Sequence, residues 1–165
     1  MGLSASDVVL DRLRIGDAGW LIMRHAERYA ADEGFDESFE PLVARILAGF
    51  LEGHDPARER GWIARAGDRR LGSIFCVQGP APDTAKLRLF YLEPELRGMG
   101  LGQRLLEECL RFARAAGYAR MTLWTHESHR AACALYAKNG FSCIRSERVH
   151  NFGVDLVEQE WARDL

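Results

Sequence analysis

Lysine is nearly missing from this chain: of its 22 basic side chains only Lys86 and Lys138 are lysines. A positive surplus is missing as well. The 24 acidic groups leave a formal net charge of −2, whereas a nucleic-acid binder of this size normally carries a basic excess. No run approaches the roughly 20 apolar residues that a bilayer span requires. Met1 to Asp7 shows no basic stretch leading into an apolar one, so no signal peptide is expected. Proline is scarce, at 5 residues, and no repeat, low-complexity tract or linker breaks the chain. One domain over residues 1–165 is therefore expected, with its core at about 8–161. Cysteine is limited to positions 76, 109, 133 and 143, without a C-x-x-C pair. Each stands among apolar neighbours, which predicts small buried hydrophobes in a reducing compartment. His25, His54 and His150 have no metal-ligand spacing, and no metal site is expected. The balance of these absences points to a cytoplasmic protein that binds neither nucleic acid nor membrane.

What is present is an apolar fraction of 47% arranged with clear periodicities. Val8 to Ile15 alternates as a strand does, and Asp17 is placed to cap a helix running to about Glu33, where Gly34 ends it. A second helix is expected from about Glu37 to Leu51. Trp62–Ala64 and Leu71–Val77 read as strands joined at Gly67-Asp68, and Lys86 to Leu92 as a third. The longest helix opens at Leu101 and carries the stripe Leu105, Leu106, Cys109, Phe112, Ala113 and Ala116 before Gly117. A strand over Ala119–Thr125, a short helix over Arg130–Lys138 and two strands within Phe141–Trp161 complete the order β-α-α-β-β-β-α-β-α-β-β. That is an α/β (α+β) domain with a mixed sheet.

The segment that carries chemistry is Leu89-Phe90-Tyr91-Leu92-Glu93-Pro94-Glu95-Leu96-Arg97-Gly98-Met99-Gly100-Leu101-Gly102. A strand passes through a proline-marked turn into Arg-Gly-x-Gly-x-Gly at the mouth of an amphipathic helix. Glycines allow positive φ and let a ligand approach without meeting a Cβ. Successive N–H groups then converge on an anion at the positive end of the helix, and a diphosphate is the natural guest. The dinucleotide fingerprint fails because Gln103 stands where its third glycine belongs, and a P-loop fails for want of Gly-Lys-Ser/Thr.

The sequence resembles the GNAT superfamily of acyl-CoA-dependent N-acetyltransferases. Arg97, Gly100 and Gly102 match its Q/R-x-x-G-x-G/A loop, and Ala132-x-x-Leu135-Tyr136-x-x-Asn139-Gly140-Phe141 matches its second block, about 30 residues on. More narrowly, Gly16-Asp17-x-Gly19-Trp20, Arg24-His25 and Leu123-Trp124-Thr125 resemble the acetyltransferase domain often fused behind a MarR-type winged helix, here standing alone. The resemblance implies a three-layer fold whose mixed, mostly antiparallel sheet splays at the acyl-CoA site. It implies acetyl-CoA as co-substrate, with Phe90, Tyr91 and Leu92 pairing with its pantetheine arm. Amides from Arg97 to Gln103 would hold its pyrophosphate, and Ala132 and Tyr136 would lie on the CoA side. His129 stands where many relatives carry an asparagine, so its CoA contact differs. The bacterial, cytoplasmic members of the family set the expectation for source and location. Their habit of dimerising through C-terminal strands points to Phe141–Trp161 for a homodimer and leaves the oligomeric state open.

The implied reaction is direct attack of an amine on acetyl-CoA in a ternary complex, with Tyr136 in the family's general-acid position. A thiolate of pKa about 8.5 needs little help, so a phenol near 10 suffices, and water is the alternative. The strand before the loop, Ala85-Lys86-Leu87-Arg88-Leu89, lacks the glutamate that serves as base in the best-studied members. The candidates left are Glu27, Glu33, His126 and Glu127, of which His126 has the best matched intrinsic pKa. Glu27, Asp32, Glu33, Asp36, Glu37 and Glu40, opposed nearby by Arg24 and Arg28, make the first two helices and their connection acidic, which would favour a small cationic amine or a peptide or protein amine. Trp20, Trp62, Trp124 and Phe35 are expected in the core. A non-catalytic acyl-CoA sensor is the main competing reading, and nucleotide-phosphate binding a weaker one.

Overall fold

The structure is a computed structural model that describes residues 4–165, so Met1 to Leu3 of the N-terminal stretch lie outside it. Among the described residues seven strands and four α-helices follow in the expected order. They are β1 (Val9–Asp11), α1 (Asp17–Glu33), α2 (Glu40–Gly53), β2 (Arg60–Ala66), β3 (Arg69–Gln78) and β4 (Thr84–Leu92), then α3 (Leu101–Ala115), β5 (Arg120–His126), α4 (Arg130–Lys138), β6 (Ser142–Asn151) and β7 (Val154–Asp164). By its contacts the chain forms two compact units.

The first unit takes residues up to Leu13, Asp55–Thr122 and Arg163–Leu165. Strands β1 to β4 pair antiparallel, each with the next in sequence order. Helix α3 packs on β3 and β4. Its stripe is buried at Leu101, Leu105, Leu106, Cys109, Leu110, Phe112 and Ala113, as a 3.6-residue period requires. Phe112 meets Trp62 edge-on at 5.4 Å between ring centroids, and the Arg60 guanidinium lies 4.6 Å above the Phe112 ring. Ala116 cap geometry and Gly117 at φ 83° end the helix where the sequence places the stop.

The second unit takes Arg14–His54 and Leu123–Ala162. Helices α1 and α2 pack together, and β6 and β7 pair antiparallel through a turn at Phe152-Gly153. Phe35, Phe39, Tyr29 and Phe152 form an aromatic cluster with centroid separations of 4.7–5.3 Å.

Several local expectations are corrected. The first strand spans Val9–Asp11 instead of Val8–Ile15, and Ile15 is fully exposed. The cap of α1 is Gly16, at φ 89°, and Asp17 is buried inside the first turn, where its carboxylate accepts from the Arg14 N–H at 2.5 Å. Residues Glu37–Phe39 form a 3₁₀ turn ahead of α2, because the Asp36 side chain accepts from the Ser38 N–H and holds the chain in a tighter turn. All four cysteines are free, with Cys76 and Cys109 buried, but Cys143 is exposed and Cys133 half-buried. Trp124 is exposed too, unlike Trp62 and Phe35. The physical reason at Cys143 is that β6 is exposed along almost its whole length, so apolar composition there does not report burial.

Candidate functional site

Within the first unit, β4 carries a distortion just before the motif. Phe75 pairs with Arg88 and Ser73 with Tyr91, so two residues of β4, Leu89 and Phe90, stand opposite one of β3. Leu89 has φ 47°, a left-handed conformation that is costly for a branched side chain. The Ser73 hydroxyl donates to the Leu89 carbonyl at 2.6 Å and secures the bulge. A bulge re-aims the backbone that follows it, here Phe90, Tyr91 and Leu92. Strain of this sort persists only where the surroundings over-determine it, and it gathers at functional sites.

Beyond β4 the Glu93 N–H returns to the Leu71 carbonyl at 2.8 Å, and Pro94–Leu96 make one 3₁₀ turn. Gly98 and Gly100 both take φ 79°, and a Cβ built on either would meet nothing within 4 Å. The loop thus presents bare backbone to open space. Gly100 caps α3 without any capping side chain, so the N–H groups of the first turn are left to another acceptor. Leu101 is buried and anchors the helix start, while Gly102 and Gln103 are half-buried and Arg97 and Gly98 exposed. Left-handed glycines, an uncapped helix start and clear space above them fit a diphosphate.

Within the second unit a polar cluster gathers at the end of β5 and the last turn of α1. The His129 N–H closes a tight turn on the His126 carbonyl at 3.0 Å, and His129 then caps α4. Glu33 receives the His129 Nε2 at 3.1 Å and the Ser128 hydroxyl at 2.8 Å. His129 Nδ1 lies 3.5 Å from the Thr125 hydroxyl. The His126 and His129 rings meet edge-on at 5.2 Å, and Tyr29 sits 5.1 Å from His129 and 6.4 Å from His126. Burial, with Glu33 and Asp32 close by, pushes the Tyr29 phenol up to about 12. Burial chiefly, and His129 next, lowers the pKa of His126, against the opposing pull of Glu158 and Glu33. Its Nδ1 is buried and has no hydrogen-bond partner among the described residues. His126 is therefore a neutral imidazole at pH 7 with one nitrogen unused.

An open hollow of ≈ 940 Å³ lies in this unit, and Glu33, Glu127 and Ser128 contribute to its lining with Arg130, Arg148 and the hydrogen-bonded pair His150 and Asp155. Glu33 and Glu127 thus share one hollow. Glu27 is not among its lining residues; it is exposed on α1, in an ion pair with Arg24 at 2.7 Å. Asp32 is likewise paired with Arg28, at 2.7 Å. The Tyr136 ring is buried, 5.8 Å from Phe141 and 6.4 Å from Trp161, and Ala132 is half-buried one turn earlier on α4. Sequence reasoning missed Tyr29, Ser128 and the Glu33–His129 contact, and neither Arg130 nor Arg148 carried any signal in a motif. Among the described residues no group of three or more His, Cys, Asp or Glu side chains is placed to hold a metal ion, and no helix is long and apolar enough to cross a membrane.

The mixed α/β arrangement and the glycine loop define a class, the acyl-CoA-dependent acetyltransferase fold. A family model described as the acetyltransferase (GNAT) family matches residues 38–141, and the chain belongs to that family. A GCN5-related N-acetyltransferase from Kribbella flavida superposes with a TM-score of 0.73, at 20% identity, over 98% of this chain and 100% of that one. An acetyltransferase from Streptococcus agalactiae does so with a TM-score of 0.70, at 19% identity, over 96% and 99%. Among curated proteins, the rat N-acetyltransferase 8F1 is 27% identical over 118 residues, which are 69% of this chain and 53% of that protein. The chain spans about half the length, or less, of the mammalian relatives it matches.

Proposed function

We propose that this chain transfers the acetyl group of acetyl-CoA to a primary amine of a small cationic molecule, or of a peptide or protein, by direct attack in a ternary complex. The observation that carries the reading is the pair of left-handed glycines, Gly98 and Gly100, opening an uncapped α3, where a Cβ built on either would meet nothing within 4 Å. When bound, acetyl-CoA supplies an acyl thioester. Phe90 to Leu92 take the pantetheine arm along the strand that the Leu89 bulge re-aims. Amides from Arg97 through Gly98, Met99, Gly100, Leu101, Gly102 and Gln103 hold the pyrophosphate. His129, Ala132 and Tyr136 belong to the same cofactor set. The Leu92 N–H donates to the thioester oxygen as charge develops there.

The acceptor enters as an ammonium and must lose a proton before its nitrogen attacks. Of Glu27, Glu33, His126 and Glu127, the reading favours His126 as proton acceptor, since burial keeps its imidazole neutral; its Nδ1 is buried and it does not line the hollow, so the proton reaches it through water. Glu33 stands behind it, held by His129 and Ser128. As the C–N bond forms and the C–S bond breaks, the nitrogen releases its second proton to solvent, and the departing thiolate takes one from Tyr136, which water then reprotonates, or from water directly. No metal is required by this scheme. The likeness at Gly16-Asp17, Arg24-His25 and Leu123-Trp124-Thr125 supports kinship with the domains fused to MarR-type winged helices. The reading includes a single domain over residues 1–165, a cytoplasmic bacterial setting without nucleic-acid or membrane partners, and a homodimer through residues 141–161.

Calorimetric titration with acetyl-CoA tests the cofactor site. Micromolar binding is expected, and it should vanish in Gly100→Glu. Absence of binding to the unsubstituted protein would remove the reading. Thiol release from acetyl-CoA in the presence of amines then separates a transferase from a sensor that binds without turnover.

A further inference from the structure

The hollow of the second unit is lined by both signs of charge. Its acids are Glu33, Glu127 and Asp155, and its bases are Arg130, Arg148 and His150. Their engagement is unequal. Asp155 is paired with His150 at 2.7 Å, and Glu33 is engaged by His129 and Ser128. The guanidinium groups of Arg130 and Arg148 neither donate a hydrogen bond to another described residue nor form an ion pair with one, although acidic residues line the same hollow. Arg130 opens α4, and Arg148 projects from β6 at the level of Val157 on β7. Two planar forks of five donors each are thus left open beside a carboxylate-bearing wall, and such forks bind carboxylate bidentately.

From this hollow we infer that the acceptor is an amine that also carries a carboxylate, such as a free amino acid, and not a simple polyamine. The inference rests on the transferase reading above and replaces its small cationic acceptor with a zwitterionic one. The ammonium is complementary to Glu33 and Glu127. The carboxylate is complementary to Arg130 and Arg148, which would repel a dication. Of the acids on the first two helices, Glu27 and Asp32 are paired on their own helix with Arg24 and Arg28.

Matched acceptors that differ only by the carboxylate give the test: L-lysine against cadaverine, and L-phenylalanine against phenethylamine, with thiol release from acetyl-CoA as the readout. The amino acid of each pair should show a kcat/KM at least tenfold higher, carried mainly by KM. In Arg130→Gln/Arg148→Gln the ratio within each pair should fall towards one. Arg148→Glu should turn the preference towards the diamine. Both arginines are exposed, so folding is not at stake. Equal efficiencies within each pair, or a ratio that survives the double substitution, would overturn the inference and leave the transferase reading standing. Binding of acetyl-CoA with no turnover of any of the four amines would remove that reading, and this inference with it.

Discussion

His25 is 3% exposed, and its Nδ1 is bonded to the Leu21 carbonyl at 2.8 Å, one turn back along α1. Burial outweighs that bond and lowers its pKa to about 4. Between the unfolded value of 6.5 and this folded value the unfolded chain takes up a proton that the folded chain refuses. Stability conferred by the neutral ring is therefore intact above pH 6.5 and is lost as pH falls towards 4. From pH 7 to pH 5 this single group should cost about 2 kcal/mol, read from urea unfolding at the two pH values. His25→Phe should flatten that difference; a slope that persists in the variant would assign it to other groups. At His126 the lowered pKa has a kinetic meaning. His126→Gln should reduce kcat at least about 100-fold while acetyl-CoA affinity measured by calorimetry stays the same. A fall of less than threefold would pass the proton-accepting role to Glu33 or Glu127. Leu89 shows how far single-residue reading extends. Alternation over Lys86–Leu92 indicates a strand, and the strand is there, but no residue type announces a leucine at φ 47°. The bulge arises from pairing with β3 and from the Ser73 hydroxyl, 16 residues away.

Helix α3 is the element in which composition, period and caps agree. Its stripe is the buried face and its ends are glycine-marked, as the spacing predicts. Leu105 and Leu106 are fully buried, and Leu105→Ala should destabilise the protein by about 3 kcal/mol in chemical unfolding, through lost burial plus the cavity left behind. The two ends of the helix also allow backbone strain to be separated from ligand binding. Gly100 at φ 79° and Gly117 at φ 83° both have open space where a Cβ would stand. Alanine at either should cost about 1–2 kcal/mol of stability. Acetyl-CoA affinity should fall only for Gly100→Ala, and an equal loss in Gly117→Ala would mean that strain alone is being measured. Strand β6 is the opposite case. A strand within Phe141–Trp161 was expected, yet nearly every residue of β6 is exposed, including Ile144 and Cys143. Apolar residues on a strand report a buried face only when another layer covers that face.

For the molecule as a whole, family membership and element order were legible because both rest on local information. Arg97 to Gly102 and Ala132 to Phe141 are contiguous stretches, and helices and strands declare themselves through periods of a few residues. The same locality explains the correct reading of α1, α3, α4 and the β2–β3 hairpin. Short-range bonds shifted boundaries by a few residues, as at Asp17, where the carboxylate turned to the Arg14 N–H instead of capping. The acceptor side was not legible in this way. Ser128 reaches Glu33 across 95 residues, and Tyr29, His126 and His129 meet only because α1 packs beside the end of β5 within one unit. Side-chain charge could be counted beforehand, but its pairing could not. The acidic first helix was expected to act as a cation-attracting rim; the structure pairs Arg24 with Glu27 and Arg28 with Asp32, and leaves Arg130 and Arg148, at the hollow, without a hydrogen-bond or ion-pair partner among the described residues. Backbone conformation follows from short-range sterics and hydrogen bonds, which a linear pattern encodes directly. Which charges meet, and which are left open for a ligand, depends on distances that exist only after the chain has closed on itself.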